Sequence, residues 1–242
     1  MKIELSSYSL TVILPAYNEA KNLKNVALPL IDILTTKLTS YQIIIVNDGS
    51  TDDTGSIANE IAEQNKNRVK VIHLDHNGGI GHAYMTALES VTTDFVTWLP
   101  SDGEISLEGF SEMLDELNPS SIIVTYPQHH HYQRNFLRRN LSKIYTTILN
   151  LSFNLNLKYY NGNSIFPTQS LKKQIIHSRR FAFNAEALIH VIKKEGLRYT
   201  ERPFILNERS HGQSKAIRLN SFLDVFRSYI LLFKLYVLSR DS

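Results

Sequence analysis

The sequence predicts an α/β domain with a mostly parallel sheet that is covered by helices on both faces. Short apolar runs alternate with stretches of helical spacing throughout the first hundred residues. The runs are continuously apolar, which is typical of parallel strands that are buried on both faces. A chain of 242 residues that is 43% hydrophobic and 20% charged is long enough for one such domain with a full core.

The first half of the chain carries the regular alternation. Its predicted strands are Leu10–Leu14, Gln42–Val46, Val69–Leu74 and Asp94–Leu99. Its predicted helices are residues 20–36, Asp52–Gln64 and Gly81–Val91. The second of these helices opens with acidic residues, which interact favourably with the positive end of the helix dipole.

The second half is less regular. Its predicted strands are Ser121–Tyr126 and Leu197–Leu206. We expect the latter to be an edge strand that Pro203 breaks, because proline cannot donate a hydrogen bond to a neighbouring strand. The predicted helices of this half are residues 135–156, Phe183–Lys194 and 219–238.

Charge is distributed unevenly along the chain. Residues 1–120 contain 7 Lys and Arg against 17 Asp and Glu, whereas residues 121–242 contain 19 against 6. The halves therefore carry net charges near −10 and +13. An anionic partner of the second half, such as phosphates or a membrane surface, accounts for this split, and so does mutual neutralisation of the halves within one fold.

The cysteine count and the first residues bear on location. The chain has no cysteine, which excludes disulfides and thiolate metal sites. The start of the chain has only a five-residue apolar run and an early glutamate, so we expect no signal peptide. Both observations fit a cytoplasmic protein.

Polar segments follow each of the first four predicted strands. They are PAYNE (15–19), NDGSTDDT (47–54), DHNGGIGHA (75–83) and PSDGE (100–104). In open α/β sheets, ligands bind beyond the carboxyl ends of the strands. The four segments are therefore the candidate site.

Three of these segments suit a nucleotide, although each also reads as ordinary turn chemistry. The carboxylate of Asp48 is placed to accept a hydrogen bond from a nucleobase N–H, and the ring of Tyr17 is placed to lie against a flat base. The glycines of the third segment allow the backbone to approach a ligand, or simply pack a helix against a strand. Taken singly, none of the three is specific.

The fourth segment suits a divalent metal. Asp102 and Glu104 flank Gly103, so both carboxylates can turn toward one ion. Mg²⁺ and Mn²⁺ prefer carboxylate oxygens and usually share a diphosphate with the protein. The alternative is that a helix begins at Ser106. Asp102 and Glu104 would then precede its N-terminus and interact favourably with the positive end of the helix dipole.

In combination the segments are more specific. PAYNE, VNDGSTD, NGGIGHA and an acidic motif, in this order, resemble the family 2 glycosyltransferases of the GT-A fold. The stretch Arg209–Lys215, RSHGQSK, resembles the R-x-x-G-x-S-K stretch of polyprenyl-phosphate (dolichyl-phosphate) sugar transferases. The resemblance runs from about residue 10 to 217, and it implies a GT-A domain over residues 1–217 followed by a C-terminal helix over 218–242.

The resemblance implies a role for several residues. Those implied to bind the nucleotide-sugar are Pro15, Ala16, Tyr17, Glu19, Asp48, Gly79, Asp102 and Ser214. Those implied to be catalytic are Asp102, Arg209, Lys215 and Glu186, and a carboxylate at the edge of the core is the alternative for Glu186. Asp102 and Glu104 are the implied ligands of Mg²⁺ or Mn²⁺, and Arg209 and Lys215 are implied to lie near the acceptor phosphate. Arg134, Arg138 and Arg139 are further candidates for the acceptor phosphate, and a solvated helix face is the alternative for these three.

Two departures from the family pattern matter for the site. The family's acidic motif is D-x-D followed two residues later by Gln, whereas this chain has Pro100 for the first Asp and Glu104 for the Gln. The glutamate restores the charge that Pro100 removes. Relatives often read Gly-Ser-Arg where this chain reads Thr125-Tyr126-Pro127, and the arginines from 134 to 139 are expected to replace that arginine.

The C-terminal helix is predicted to be amphipathic. At about 100° per residue, one arc of about 140° contains its polar side chains, namely Asn220, Ser221, Asp224, Arg227, Ser228 and Lys234. This pattern is typical of a helix that lies in a membrane interface. Packing on the domain or on a second copy of the chain is the alternative.

The expected function is metal-dependent, inverting transfer of a sugar from a GDP- or UDP-linked donor to a polyprenyl phosphate or similar lipid-linked acceptor. We expect peripheral association with the cytoplasmic face of a membrane and no nucleic acid partner, and a homo-oligomer stays open. One alternative is transfer to a soluble saccharide, with Glu186 as the base. The other is a non-catalytic nucleotide-sugar binder, which Pro100 suggests.

Overall fold

The computed structural model describes residues 7–128, 136–207 and 219–238. The strands of this part of the chain are β1 (Leu10–Ala16), β2 (Tyr41–Asp48), β3 (Val69–Leu74), β4 (Phe95–Trp98), β5 (Ser121–Pro127), β6 (Phe166–Pro167) and β7 (Arg198–Phe204). Its α-helices are α1 (Leu23–Lys37), α2 (Thr54–Gln64), α3 (Ile80–Glu89), α4 (Phe110–Met113), α5 (Phe136–Phe153), α6 (Thr168–Lys172), α7 (Phe183–Glu195) and α8 (Leu219–Tyr236).

The main sheet is mostly parallel, as predicted. Its strand order is β3-β2-β1-β4-β6, and only β6 runs antiparallel to its neighbour. Central strand β1 pairs in parallel with β2 and with β4, from Leu10 onwards in both cases. This shared register brings the carboxyl ends of the strands to one edge of the sheet.

Helices cover both faces of the sheet, which confirms the predicted fold class. Because side chains alternate along a strand, Ile44 and Val46 of β2 enter one core while Ile43 and Ile45 enter the other. The first core also contains buried residues of α3, α5, α7 and α8. The second contains buried residues of α1, α2 and α4.

A second, two-stranded sheet lies beside the first. Strands β5 and β7 pair in parallel, and an isolated bridge between Ile123 and Ile165 joins β5 to the chain that leads into β6. The predicted break at Pro203 is wrong, since the ladder continues through Tyr126 opposite Pro203 to Phe204. Pro203 is tolerated because β7 lies at an edge of this sheet.

The helix expected from Ser106 is also wrong, because α4 begins only at Phe110. The backbone N–H of Ser106 donates to the carbonyl oxygen of Ile205 at 2.9 Å, so this residue is held in an extended pairing. Gly109 then turns the chain with φ +77°, a left-handed conformation that glycine adopts without strain.

Helix α8 packs on the domain through one face. The hydroxyl of Tyr229 lies 3.0 Å from the Ser152 hydroxyl on α5, and the hydroxyl of Tyr236 lies 2.6 Å from Nδ1 of His190 on α7. Leu232 is buried in the same core. The predicted boundary at residues 217 and 218 falls outside the described residues and stays a prediction. None of the helices in the described part of the chain has the length and hydropathy that a bilayer-crossing helix needs.

Candidate active site

The four predicted segments meet at the carboxyl edge of the sheet. PAYNE begins inside the end of β1 and NDGSTDDT inside the end of β2. DHNGGIGHA follows β3 directly, and PSDGE follows β4 after Leu99. Hydrogen bonds join neighbouring segments to one another, and these bonds define the geometry of the site.

PAYNE and NDGSTDDT are cross-linked by side chain to backbone hydrogen bonds. Asn18 has φ +55°, which turns its amide oxygen toward the backbone N–H of Thr51 at 2.8 Å. The N–H of Asn18 donates to the Ser50 hydroxyl at 3.1 Å, and the N–H of Glu19 donates to the Thr54 hydroxyl at 2.8 Å. The two loops therefore form one rigid surface on which Tyr17 is half-buried.

Asp48 joins NDGSTDDT to the glycine segment. One carboxylate oxygen accepts the backbone N–H of Gly78 at 2.8 Å, and the other accepts that of Gly79 at 3.0 Å. Asp48 is 3% exposed, and Gly79 has φ +92°. Asp48 is thus a positioning residue for the glycine segment, and its contact with a nucleobase stays a prediction.

The acidic segment docks on PAYNE. The buried hydroxyl of Ser101 donates to the carbonyl oxygen of Pro15 at 3.0 Å. Asp102 and Glu104 are half-buried, and Gly103 between them turns the chain with φ +71°. One oxygen of the Asp102 carboxylate accepts the backbone N–H of Glu104 at 3.0 Å, and this hydrogen bond stabilises the turn at Gly103.

The donor set of this turn fits a hard divalent ion. Two carboxylates two residues apart are the kind of ligand pair that Mg²⁺ takes together with substrate phosphates and water. In the described ranges no three His, Asp or Glu side chains group as a metal site made of protein ligands alone. A metal at Asp102 and Glu104 would therefore take its remaining oxygens from the donor phosphates and water.

The other side of the acidic segment is held by the chain after β7. The backbone N–H of Asn207 donates to the carbonyl oxygen of Glu104 at 2.8 Å, and its side-chain amide donates to that of Gly103 at 3.1 Å. The predicted residues Arg209, Ser214 and Lys215 come next in the chain and lie outside the described residues. Arg134 and the side chain of Arg138 also lie outside them, whereas Arg139 is exposed on α5.

Glu186 is fully buried in the first turn of α7. Its carboxylate accepts the backbone N–H groups of His177 at 2.8 Å and Ser178 at 2.9 Å, and it lies 3.1 Å from Nδ1 of His177. Burial alone would raise its pKa, but the neighbouring His190 ring and these hydrogen bonds more than offset burial and hold the pKa below its ordinary value.

This environment argues against the catalytic role that the resemblance implies for Glu186. A general base must reach the proton it removes and titrate near the working pH. The Glu186 carboxylate has no exposed surface, its oxygens are occupied by donors, and its lowered pKa keeps it ionised. Glu186 holds the segment His177–Arg180 in place and is a positioning residue.

The segment from His177 to Arg180 forms one wall of an open pocket of about 590 Å³, and α8 forms the other. The lining residues are His177, Ser178, Arg179, Arg180, Asp224, Arg227, Ser228 and Leu231. Sequence reasoning missed this pocket. The sequence feature that could have indicated it is the adjacent pair Arg179 and Arg180. This pair lies in the positively charged second half of the chain, just before the predicted helix Phe183–Lys194.

Comparison with known proteins identifies the family. The pattern described as Glycosyl transferase family 2 matches residues 11–189, which is more than half of the chain. The chain belongs to this family. The family predicted from the motifs is therefore confirmed.

Curated relatives of this family 2 chain include lipid-phosphate sugar transferases. The chain is 26% identical to a dolichyl-phosphate beta-glucosyltransferase of Trichomonas vaginalis, covering 87% of this chain and 69% of the relative. It is 27% identical to the polyprenol monophosphomannose synthase of Mycolicibacterium smegmatis, covering 84% and 79%. It is 25% identical to a teichoic acid poly(glycerol phosphate) polymerase of Staphylococcus epidermidis, covering 91% of this chain but only 28% of that protein.

Solved structures show the same fold. Glucosyl-3-phosphoglycerate synthase of Mycobacterium tuberculosis, in complex with Mn²⁺, UDP and phosphoglyceric acid, superimposes with a TM-score of 0.65 at 16% identity, covering 93% of this chain and 78% of that one. S. aureus TarS 1–349 in complex with UDP-GlcNAc superimposes with a TM-score of 0.61 at 18% identity, covering 93% and 65%. These likenesses support the GT-A fold of the family 2 chain.

Proposed function

We propose that this protein transfers a sugar from a nucleotide diphosphate donor to a lipid-linked phosphate, with inversion at the anomeric carbon. The observation that carries the proposal is the convergence of four polar segments at the carboxyl edge of the sheet. The contacts of Asn18 with Thr51, of Asp48 with Gly79 and of Ser101 with Pro15 hold these segments together. This edge is where open α/β sheets bind ligands.

The donor is assigned to this edge. We place the nucleoside against Pro15, Ala16, Tyr17, Glu19, Asp48 and Gly79, and the diphosphate near Asp102 and Glu104. These two carboxylates would hold Mg²⁺ or Mn²⁺. A divalent ion supplies Lewis-acid stabilisation of the charge on a departing phosphate oxygen.

The basic residues after β7 are assigned to the phosphates. Asn207 is hydrogen-bonded to the acidic segment, and Arg209 follows it by two residues. Covalent geometry limits two residues to a span of about 7 Å. We assign Arg209 to the phosphates on this ground and because a guanidinium suits phosphate oxygens. We assign Ser214 and Lys215 of the same stretch to the donor and the acceptor phosphate.

The transfer step needs no protein base when the acceptor is a phosphate monoester. Such a phosphate has a second pKa of about 6, so it is anionic at neutral pH. One of its oxygens forms the bond to the anomeric carbon, while the bond from that carbon to the donor diphosphate breaks. The electron pair leaves with the nucleotide diphosphate. The buried position of Glu186 fits this scheme.

Two apolar stripes support an acceptor that sits in a membrane. Helix α5 exposes Leu141, Ile144, Ile148 and Leu151, which recur every three or four residues on one side of the helix. Helix α8 exposes Phe226, Ile230, Leu231 and Leu235, with Leu238 just beyond its end. We propose that these stripes rest peripherally on the cytoplasmic face of a membrane, since interfacial helices pair such stripes with basic residues.

The donor assignment predicts metal-dependent stabilisation by one nucleotide diphosphate. At 100 times its dissociation constant, a ligand adds about 2.7 kcal/mol to the free energy of unfolding, which raises Tm by roughly 5–10 °C at this size. Thermal unfolding with UDP, GDP or CDP, each with and without Mn²⁺ or Mg²⁺, measures this shift and identifies the nucleobase of the donor. An unchanged Tm with every combination of nucleotide and metal contradicts the donor assignment.

The membrane assignment predicts that charges on the α5 stripe weaken vesicle binding. Leu151 is 79% exposed and Ile144 is 56% exposed, so glutamate at both positions leaves the core intact. A large apolar side chain contributes about 1.5–3 kcal/mol when fully buried. We expect the double variant to bind vesicles of mixed phosphatidylglycerol and phosphatidylcholine at least about tenfold more weakly.

Co-sedimentation with these vesicles measures the effect. The matched control is Leu28→Glu, because Leu28 is 42% exposed on α1, on the opposite face of the sheet. Equal vesicle binding by wild-type, double-variant and control proteins contradicts the membrane assignment.

Transfer to a soluble phosphate-bearing acceptor is the second candidate. It is motivated by the structurally similar synthase, whose complex contains phosphoglyceric acid. Transfer of labelled sugar into the aqueous phase only, with none to a prenyl phosphate, selects this candidate. Donor binding without turnover on any acceptor selects a non-catalytic binder, for which Pro100 in the acidic motif is the reason.

A further inference from the structure

The pocket between His177–Arg180 and α8 has an excess of positive charge. Among the described residues, Arg179, Arg180 and Arg227 line it, together with the carboxylate of Asp224, and the buried carboxylate of Glu186 lies behind His177 and Ser178. The Asp224 carboxylate accepts the Ser178 hydroxyl at 2.7 Å. Three guanidinium groups against these two carboxylates leave a net positive charge, which favours an anionic ligand.

The pocket adjoins the glycine segment of the donor edge. The carbonyl oxygen of Arg179 accepts the backbone N–H of His82 at 3.1 Å. A Cβ placed on Gly79 would lie 2.8 Å from that carbonyl oxygen and 3.4 Å from Cγ of Arg180. The absence of a side chain at Gly79 thus lets the pocket wall pack directly on the segment that Asp48 positions.

The pocket is also tied to the strand that leads to the acidic segment. The indole N–H of Trp98, at the end of β4, donates to the side-chain oxygen of Asn184 in the first turn of α7. The pocket wall ends just before this turn. The pocket therefore lies beside the donor edge, on the α3, α7 and α8 side of the sheet.

The wall that carries the arginines is preorganised. Glu186 accepts the backbone N–H groups of His177 and Ser178, and Asp224 accepts the Ser178 hydroxyl from α8. A site whose backbone is fixed before the ligand arrives loses less conformational entropy on binding. Planar guanidinium groups on such a wall suit the oxygens of a phosphate.

We propose that this pocket binds the phosphate of the acceptor, through Arg180 on its loop wall and Arg227 on α8. The inference rests on the proposed function, which places the donor diphosphate at Asp102 and Glu104 and assigns Lys215 to the acceptor phosphate; Arg180 and Arg227 would be further cations for that same phosphate. Leu231 lines the pocket and also belongs to the exposed stripe of α8. A phosphate in the pocket can therefore carry an apolar chain along α8 or a small soluble group.

The test is binding of two probes, farnesyl phosphate and glycerol 3-phosphate, to Arg180→Gln, Arg227→Gln and the double variant. Calorimetry is run with and without a saturating nucleotide diphosphate and Mn²⁺. We expect each single variant to weaken probe binding about tenfold and the double variant more, since a charge-assisted hydrogen bond is lost in each. Arg198→Gln is the matched control, because Arg198 is exposed on β7 and does not line the pocket.

The outcomes separate this proposal from the donor assignment. Tighter binding of farnesyl phosphate than of glycerol 3-phosphate identifies a lipid-linked acceptor, and equal binding of the two probes identifies a soluble acceptor. Both outcomes support a phosphate site in the pocket. The proposal is overturned if the Arg180 and Arg227 variants bind the probes as tightly as the Arg198→Gln control does. It is also overturned if the nucleotide displaces the probes. If no nucleotide binds the wild-type protein, the donor assignment fails, and the runs without nucleotide still decide on the pocket.

Discussion

Asp102→Asn is expected to abolish metal-dependent nucleotide binding and to reduce sugar transfer by at least about a hundredfold. Lewis-acid stabilisation by a metal contributes several kcal/mol to a transition state, and about 1.4 kcal/mol is a factor of ten in rate. Asparagine keeps the oxygen that accepts the Glu104 backbone N–H, so the turn at Gly103 survives. The substitution therefore removes the negative charge of the side chain and keeps its size and its hydrogen bond to the turn.

Two measurements test this expectation. The first is the difference in Tm shift that the stabilising nucleotide produces with and without Mn²⁺, and the second is transfer of labelled sugar. The control is Asp115→Asn, because Asp115 is exposed and pairs only at the surface with Lys37, an interaction worth about 0–1 kcal/mol. Full activity and an unchanged metal-dependent shift in Asp102→Asn would remove Asp102 from the metal site.

The regular half of the fold could be predicted because its strands are continuous apolar runs. Strand β3 has the predicted bounds Val69–Leu74, and β2 extends the predicted run only by Tyr41, Asn47 and Asp48. A parallel strand buried on both faces cannot carry many polar residues, so β2 is hard to mistake, whereas the edge strand β3 exposes Lys70 and His73. The position of the candidate site followed from the strand ends.

Elements that depend on distant pairing could not be predicted. The acids before Ser106 look like the start of a helix, yet pairing with residues 205–207 holds this stretch extended. Strand β6 has only two residues, Phe166 and Pro167, and it forms by pairing with β4. Local propensity carries no information on partners sixty to a hundred residues away.

The same limit applies to the site. The motifs located Asp48 and Asp102, but nothing in them shows that Asp48 binds the backbone of a glycine segment thirty residues downstream. The cationic pocket needs Arg180 from a loop and Arg227 from α8, which only the tertiary fold brings together. Sequence motifs therefore predict which residues matter better than they predict what those residues contact.

Glu186→Gln is expected to be strongly destabilising at neutral pH. The carboxylate accepts two backbone N–H groups on its separate oxygens, and a glutamine must turn its NH₂ toward one of them. A buried donor left without an acceptor costs about 1–3 kcal/mol, and hydrogen bonds to a charged group are stronger than neutral ones. We therefore expect a loss of about 2–4 kcal/mol in the free energy of unfolding.

The pH dependence of this loss identifies the ionised carboxylate as its source. Because the pKa of Glu186 is lower in the folded protein than its ordinary value of 4.5, the ionised group stabilises the fold above that value. This contribution disappears as the pH falls through the lowered native pKa. The difference between wild-type protein and Glu186→Gln should therefore be largest at neutral pH and shrink in acid.

Urea unfolding of both proteins over a pH series measures that difference, with Glu89→Gln, an exposed glutamate at the end of α3, as the control. His177, at 3.1 Å, and His190, at 3.9 Å, face the Glu186 carboxylate and lose this charged partner in Glu186→Gln, so the comparison reports on the carboxylate together with its two histidine neighbours. A difference that stays constant from neutral pH into acid would mean that shape, not charge, is what Glu186 supplies. A shrinking difference together with weaker phosphate-probe binding would show that the buried charge holds the arginine-bearing wall in place.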